Sequence, residues 1–251
     1  MRNFLKFIVG FLIITLLIGV CYKAFMWKDT TGDYLSVYEQ LYNTPDNTID
    51  VAFVGSSHVF CDVYPSILWE DYGISAFDMS VSGMDKTSAY YGLKELLKTQ
   101  SPKVVAIDLY ALLFEGIDVE ANEYRNLLGM NTSINSIELV MNYPNIDMKT
   151  RLEYIARWPI IHTRYSELTK YDFIDYKPSI YGRGAYYVWD THGAEVPDLN
   201  ALKNADIGML TESNQNWLDS LVNLSEENNF ELVFFMTPMN SNIADQETIN
   251  A

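Results

Sequence analysis

Eight consecutive residues, Val51-Ala52-Phe53-Val54-Gly55-Ser56-Ser57-His58, constrain this chain more than any other stretch. The apolar run reads as a buried strand, and a strand buried on both faces belongs to a parallel sheet between helices. It stops at a glycine and at once delivers two hydroxyls and an imidazole. Open α/β sheets bind ligands just beyond the carboxyl ends of their strands, so a serine at that point is placed for chemistry. The alternative is a Gly-Ser turn that caps the next helix, since both are ordinary turn residues.

The rhythm that follows supports the sheet. Pro65 starts a short helix through Trp69 and Tyr72, with Gly73 as its stop. Ile74 to Met79 reads as a second strand. A helix from about Asp85 to Thr99 carries Tyr90, Leu93 and Leu97 on one face, and Ser101-Pro102 ends it. Lys103 to Leu109 is the clearest parallel-sheet strand. The order strand, helix, strand, helix, strand predicts an α/β fold, a three-layer α/β/α parallel sheet of flavodoxin-like type. From about 116 to 205 the alternation breaks, and the segment reads as a helical and irregular insertion packed over the sheet, with helices near Ser136 to Met141 and Lys149 to Trp158. The core pattern returns with Thr211 as a helix cap, Trp217, Leu218, Leu221 and Val222 as a buried face, and Glu231 to Met236 as a fourth strand.

At the N-terminus, Phe7 to Tyr22 is uncharged and nearly all apolar, and the apolar character resumes after Lys23 as Ala24-Phe25-Met26-Trp27. With Lys23 snorkelling, this is long enough to span a bilayer of about 30 Å. A cleaved signal peptide is the competing reading, but its shorter core and small-x-small cleavage site are missing around Cys21 to Phe25. Residues 1–28 are therefore read as an uncleaved membrane anchor, 29–48 as a polar linker with a turn at Asn43-Thr44-Pro45-Asp46-Asn47, and 49–251 as the globular domain. Arg2 and Lys6 favour a cytoplasmic N-terminus, although Lys23 and Lys28 weaken that bias. The expected location is the cell membrane, single-pass, with the globular domain outside the cytoplasm.

Charge narrows the partners. Of 17 basic residues, four (Arg2, Lys6, Lys23 and Lys28) precede Asp29, the first acidic one, so the remainder sets 13 basic against 33 acidic residues. Nucleic acid is disfavoured, because phosphate binding needs a basic face. Cys21 in the anchor and Cys61 in the domain are not placed to pair, Val20 argues against lipidation of Cys21, and no metal-type cysteine spacing occurs.

An exposed serine needs a base, a group that orients the base, and donors for the oxyanion. After the second strand comes Ser80-Val81-Ser82-Gly83-Met84-Asp85, a small-residue turn whose N–H groups can face Ser57; the alternative is a plain loop with a helix cap. Gly55-Ser56-Ser57-His58 after the first strand resembles the first block of SGNH/GDSL hydrolases, and Ser82-Gly83 resembles their second. With the anchor and Pro65-Ser66-Ile67-Leu68-Trp69, the chain is similar to membrane-anchored bacterial members related to the teichoic-acid D-alanine transfer protein and to polysaccharide O-acetylation proteins. The resemblance implies Ser57 as nucleophile, the Gly83 N–H as oxyanion donor, and no metal, nucleotide or other cofactor. It implies an esterase or O-acyltransferase acting on acyl esters of a cell-envelope glycan or polymer, with a multispanning O-acyltransferase as a potential partner.

The chain departs from that pattern in two places. Where the family has an asparagine after the third strand, Asp108-Leu109-Tyr110 stands here; a carboxylate repels an oxyanion unless protonated, so Asp108 is expected to fix a neighbouring loop. The family's Asp-x-x-His block is missing after Met236, and the C-terminal part of the fold is expected to lie beyond Ala251. Three histidines are alternative bases. His58 adjoins Ser57 but on a strand-to-helix turn points elsewhere, and His162 is expected to pack in the insertion. Asp190-Thr191-His192 pairs a carboxylate with an imidazole two residues away, an Asp-x-His arrangement that polysaccharide O-acetylation proteins use, though there the pair precedes the serine and here it follows; the alternative is a solvated loop. The alternative function is a non-catalytic envelope binding or acyl-transfer adaptor protein that keeps the fold.

The anchor reading has a direct test. On fractionation, the full chain is expected to stay with membranes through high-salt and carbonate washes, and release of intact chain by either would overturn it.

Overall fold

The inner strands of the sheet are short and apolar because they are largely buried, whereas the edge strand at Glu231–Phe235 is partly exposed, Val233 by 43% and Phe234 by 38%. In the computed structural model, which describes residues 2–26, 36–110, 123–173, 182–185 and 211–237, the strands are β1 (Val51–Gly55), β2 (Ala76–Ser80), β3 (Val104–Asp108) and β4 (Glu231–Phe235). All pairings are parallel, and the order is β2-β1-β3-β4. The chain steps from β1 to one side and returns to the other, so the order reverses between β1 and β3. That reversal is the topological switch point at which doubly wound sheets leave a crevice.

The register assigns side chains to faces. Ala52 and Val54 align with Phe77 and Met79 on β2 and with Val105 and Ile107 on β3, and all six are fully or almost fully buried. This face meets α5 (Lys86–Leu96) and α10 (Glu212–Asn228), whose Leu93, Leu96, Trp217 and Leu221 join the same core. The opposite face carries Phe53, Gly55, Asp78, Ser80, Ala106, Asp108 and Phe235. It meets the short helix α3 (Ser57–Asp62) and α4 (Pro65–Tyr72) at the β1 and β2 end. The parallel α/β sheet expected from the sequence is present.

Local signals set the helix ends. Pro65 opens α4, and Gly73 closes it at φ 67°, its N–H reaching the carbonyls of Leu68 and Trp69. Asp85 caps α5, accepting from the Ser88 N–H at 2.7 Å, and Thr211 caps α10, accepting from Asn214 at 3.1 Å. The Trp217 indole donates to the Lys86 carbonyl at 2.8 Å and locks α10 beside α5. Two details differ from expectation. The buried stripe of α5 is Ala89, Gly92, Leu93 and Leu96, with Tyr90 and Leu97 on its flanks. On α10 the inward positions are Trp217, Leu221 and Leu224, while Val222 is 43% exposed, because that helix is covered along a stripe one residue wide of the expected one.

A larger correction concerns residues 29–48. Ser36–Asn43 form a helix, α2, whose Val37, Tyr38 and Leu41 are buried in the main core. The stretch read as a linker supplies a core helix, because three apolar residues at helical spacing suffice to bury one face of two turns.

Within the expected insertion, α6 (Glu123–Leu128), α7 (Ile134–Asn142), α8 (Met148–Ala156) and α9 (Trp158–Ile161) are followed by 3-10 turns at His162–Ser166 and Lys170–Phe173. α7 covers the first helical stretch read from the sequence, and α8 the second as far as Ala156, where Arg157 at φ 60° breaks the helix before Trp158. Glu95 on α5 ties them in: its buried carboxylate accepts from Tyr42 Oη, Lys98 Nζ, Ser133 Oγ and Asn135 Nδ2 at 2.9 to 3.2 Å. The N-terminal helix α1 (Arg2–Phe25) is apolar over Phe4–Phe25, with mean hydropathy 2.6, and its most apolar window is uncovered. At 22 residues it is about 33 Å long, enough to cross a membrane.

If α2 is part of the core, Leu41→Ala should cost about 2–5 kcal/mol, read as a lower midpoint in denaturant unfolding. A surface linker would register within about 0.5 kcal/mol.

Candidate functional site

Gly55 ends β1 because no side chain fits there. A Cβ would lie 2.5 Å from Val59 Cγ2 and 2.8 Å from Asp108 Cβ, far inside normal contact. The chain can therefore turn sharply into α3 with Val59 folded over the strand and Asp108 alongside. Ser56 is the buried cap of α3, its Oγ accepting from the His58 N–H at 3.5 Å. Ser57 is the first helical residue and is half-buried. Both readings of this turn hold together: Ser56 caps the helix, and Ser57 is presented at the strand end.

The switch point lies between β1 and β3, and both strand ends contribute to it. The His58 imidazole stacks on the Tyr110 ring, with centroids 3.8 Å apart. Asp108 Oδ1 accepts from the Tyr110 N–H at 3.1 Å, so Asp108 does fix the loop that follows it. Its Oδ2, beside Gly55, has no hydrogen-bond partner. Burial pushes the Asp108 carboxyl up to about 6, with the nearby Asp62 charge adding to the rise. Burial holds the His58 imidazole below its ordinary range, so it is neutral at pH 7, and its Nδ1 is buried without a partner. No base reaches Ser57 among the described residues.

On the other side of β1, the Val81 N–H donates to the Gly55 carbonyl at 3.2 Å, which carries the chain after β2 along the end of β1. A tight turn follows, closed by Met84 N–H to the Val81 carbonyl at 2.9 Å with Gly83 at φ 65°. The Gly83 carbonyl accepts from Asn126 Nδ2 at 3.2 Å, so the peptide between Gly83 and Met84 is held at both its oxygen and its N–H. The structure thus brings the Ser82-Gly83 turn to the same sheet end as Ser57, as the sequence suggested. His162 lies away from this end, exposed, with Nδ1 3.0 Å from the Trp158 carbonyl. Asp190 and His192 fall outside the described residues.

Sequence reading missed the polar floor. On the Gly55 face, Asp78 and Ser80 of β2, Asp108 of β3 and Thr237 just past β4 are buried, and each has a side-chain oxygen with no hydrogen-bond partner. Orphaned buried oxygens cost about 1–3 kcal/mol each, and clusters of them are characteristic of places completed by something bound. The signal for Asp78 and Ser80 was their two-residue spacing in an otherwise apolar strand. Asn126 and Tyr110 had none, since their roles arise from pairing with Gly83 and His58. Among the described residues, no three His, Cys, Asp or Glu side chains converge as a metal site. No family model, curated protein or solved structure matches this chain.

Asp108 makes a pH prediction with a definite sign. Its carboxyl binds a proton more tightly folded than at the ordinary 3.8, so the stability it contributes is complete below about pH 4 and lost as pH rises through about 6. In denaturant unfolding, Asp108→Asn should gain on the wild type across that window and hold a constant advantage above it. A gain in the opposite direction would mean an unseen cation pairs with Asp108.

Proposed function

We propose that this chain is a membrane-anchored, extracytoplasmic serine esterase or O-acyltransferase that acts on acyl esters of a cell-envelope glycan or polymer. The observation that carries the proposal is the placement of Ser57: half-buried, at the end of the central strand β1, on a turn made rigid by Gly55, beside the switch-point crevice and its unpartnered polar floor. The resemblance of Gly55-Ser56-Ser57-His58 and Ser82-Gly83 to the first two SGNH/GDSL blocks supplies the reaction class. The apolar helix α1 supplies the membrane attachment, and Arg2 and Lys6 favour a cytoplasmic N-terminus.

In this reading Ser57 Oγ attacks the acyl carbonyl carbon while a base takes its proton. The negative charge that develops on the carbonyl oxygen is met by the Gly83 N–H, in a turn held by Asn126 and Val81. The ester C–O bond breaks, the proton passes to the departing oxygen, and the acyl group remains on Ser57. Water or a sugar hydroxyl then attacks the acyl-serine and releases the enzyme. Asp190-Thr191-His192 is one candidate for the base and its orienting carboxylate. Asp108, next to Gly55, opposes the oxyanion less as pH falls below about 6, where its carboxyl is protonated.

A second reading, a non-catalytic envelope binding or acyl-transfer adaptor protein, is favoured by one observation. The imidazole adjacent to Ser57 is engaged with Tyr110 rather than with the serine, so the described part of the crevice can bind without reacting.

Labelling separates the two. A fluorophosphonate should modify the full-length chain at Ser57, located by peptide mass, and the label should vanish in Ser57→Ala and fall at least tenfold in His192→Ala, a loss of about 1.4 kcal/mol or more in activation. Equal labelling of wild type and Ser57→Ala would sink the nucleophile assignment. A wild-type chain that takes no label but is thermally stabilised by an envelope polymer would favour binding.

A further inference from the structure

The end of α1 does not leave the domain through a free tether. Ala24 is buried, the Phe25 ring meets the Trp158 ring with centroids 5.6 Å apart, and the Phe25 carbonyl accepts from Arg164 Nη1 at 2.7 Å. Arg164 is itself buried and bridges to Asp172 at 3.2 Å, whose other oxygen accepts from the Thr169 N–H at 2.7 Å. The last turn of α1 is therefore bonded to α9 and to both 3-10 turns. Through Arg157, whose guanidinium donates to the Met130 carbonyl, the same region is joined to the connection between α6 and α7.

Around that junction the surface is aromatic. Trp158 is 43% exposed, Phe173 66% and Tyr165 74%, and all three belong to the elements that hold Phe25. Such side chains are the ones that settle at the level of lipid headgroups, where one end of the ring is wet and the other apolar. α9 and the two 3-10 turns carry Arg164 and Lys170 against Asp172, in a chain whose total is −16, so this face lacks the acidic excess that would repel anionic lipid headgroups.

We propose that the face formed by α9 and the 3-10 turns His162–Ser166 and Lys170–Phe173 lies in the headgroup layer of the membrane that α1 crosses, with Trp158, Tyr165 and Phe173 inserted beside the helix. This inference rests on the reading of α1 as a spanning helix. It adds that the domain is held in one orientation against the bilayer rather than swinging on a linker. The occupant of the face is lipid, because the uncovered apolar surface of α1 runs continuously into it: a helix surrounded by acyl chains up to Val20 places residues packed against Phe25 at the lipid boundary.

Depth measurement by spin label tests this in the full chain reconstituted into phosphatidylcholine vesicles containing phosphatidylglycerol, with Cys21→Ala and Cys61→Ala removing the native thiols. Nitroxides are attached in Tyr165→Cys and Phe173→Cys, in Leu17→Cys within α1, and in Glu227→Cys on exposed α10. A label about 5–10 Å into the headgroup and acyl boundary collides more with oxygen and less with a water-soluble nickel chelate. The oxygen-to-nickel ratio at residues 165 and 173 should exceed that at Glu227 by about threefold or more, and it should approach that at Leu17. Ratios at 165 and 173 equal to that at Glu227, with Leu17 in lipid, would overturn the docked face and leave the anchor standing. A Leu17 ratio equal to that at Glu227 would overturn both.

Discussion

The buried carboxylate of Glu95 is the interaction on which the assembly of this domain depends. It sits on α5, which packs on the buried face of the sheet, and it is completed by groups from α2, from the start of α7, and from Lys98 just past α5. A charge with no water around it is tolerated only when its oxygens are fully hydrogen-bonded. The requirement is mutual: Tyr42, Ser133 and Asn135 converge because the carboxylate is there, and they bring their helices with them. In this way α2 and the start of α7 share one attachment point on α5.

The end of β1 is shaped by a different constraint, close approach at Gly55. The absence of a side chain lets Val59 and Asp108 occupy the space above the end of β1, and it orders the sequence of events along the turn: Ser56 caps, Ser57 is presented, His58 swings across to Tyr110. The polar floor beneath has more oxygens than partners. Asp78, Ser80, Asp108 and Thr237 each keep a buried oxygen without a partner, as Tyr38 and Ser88 do on the α5 side of the sheet. Burial raises the Asp108 carboxyl to about 6 and lowers the His58 imidazole, so at pH 7 Asp108 is mostly ionised while His58 is neutral.

Much of this was legible beforehand. The strands, Gly73 and Pro65 as helix punctuation, and the caps Asp85 and Thr211 follow from backbone chemistry that acts within a few residues, so sequence alone exposes them. Ser57 and the Ser82-Gly83 turn were visible for the same reason: each directly follows a strand. The linker reading of residues 29–48 failed because Val37, Tyr38 and Leu41 are sparse among polar neighbours, and their burial is decided by the space between α5 and β2. Val222 was misassigned because the width of a buried stripe is set by what packs on it. Asn126 and Tyr110 become meaningful only through contacts with residues 43 and 52 positions earlier.

What the sequence by itself determined is the parallel α/β sheet, the apolar N-terminal helix and the delivery of a serine at the end of the first strand, because periodicity, length and glycine are local properties. The tertiary structure alone decided the strand order that puts the switch point between β1 and β3, the unpartnered floor below Ser57, and the bonding of α1 to Trp158 and Arg164. Those are pairings across long stretches of chain. No single segment carries them, since each is chosen by which surfaces are left to be covered once the local elements exist.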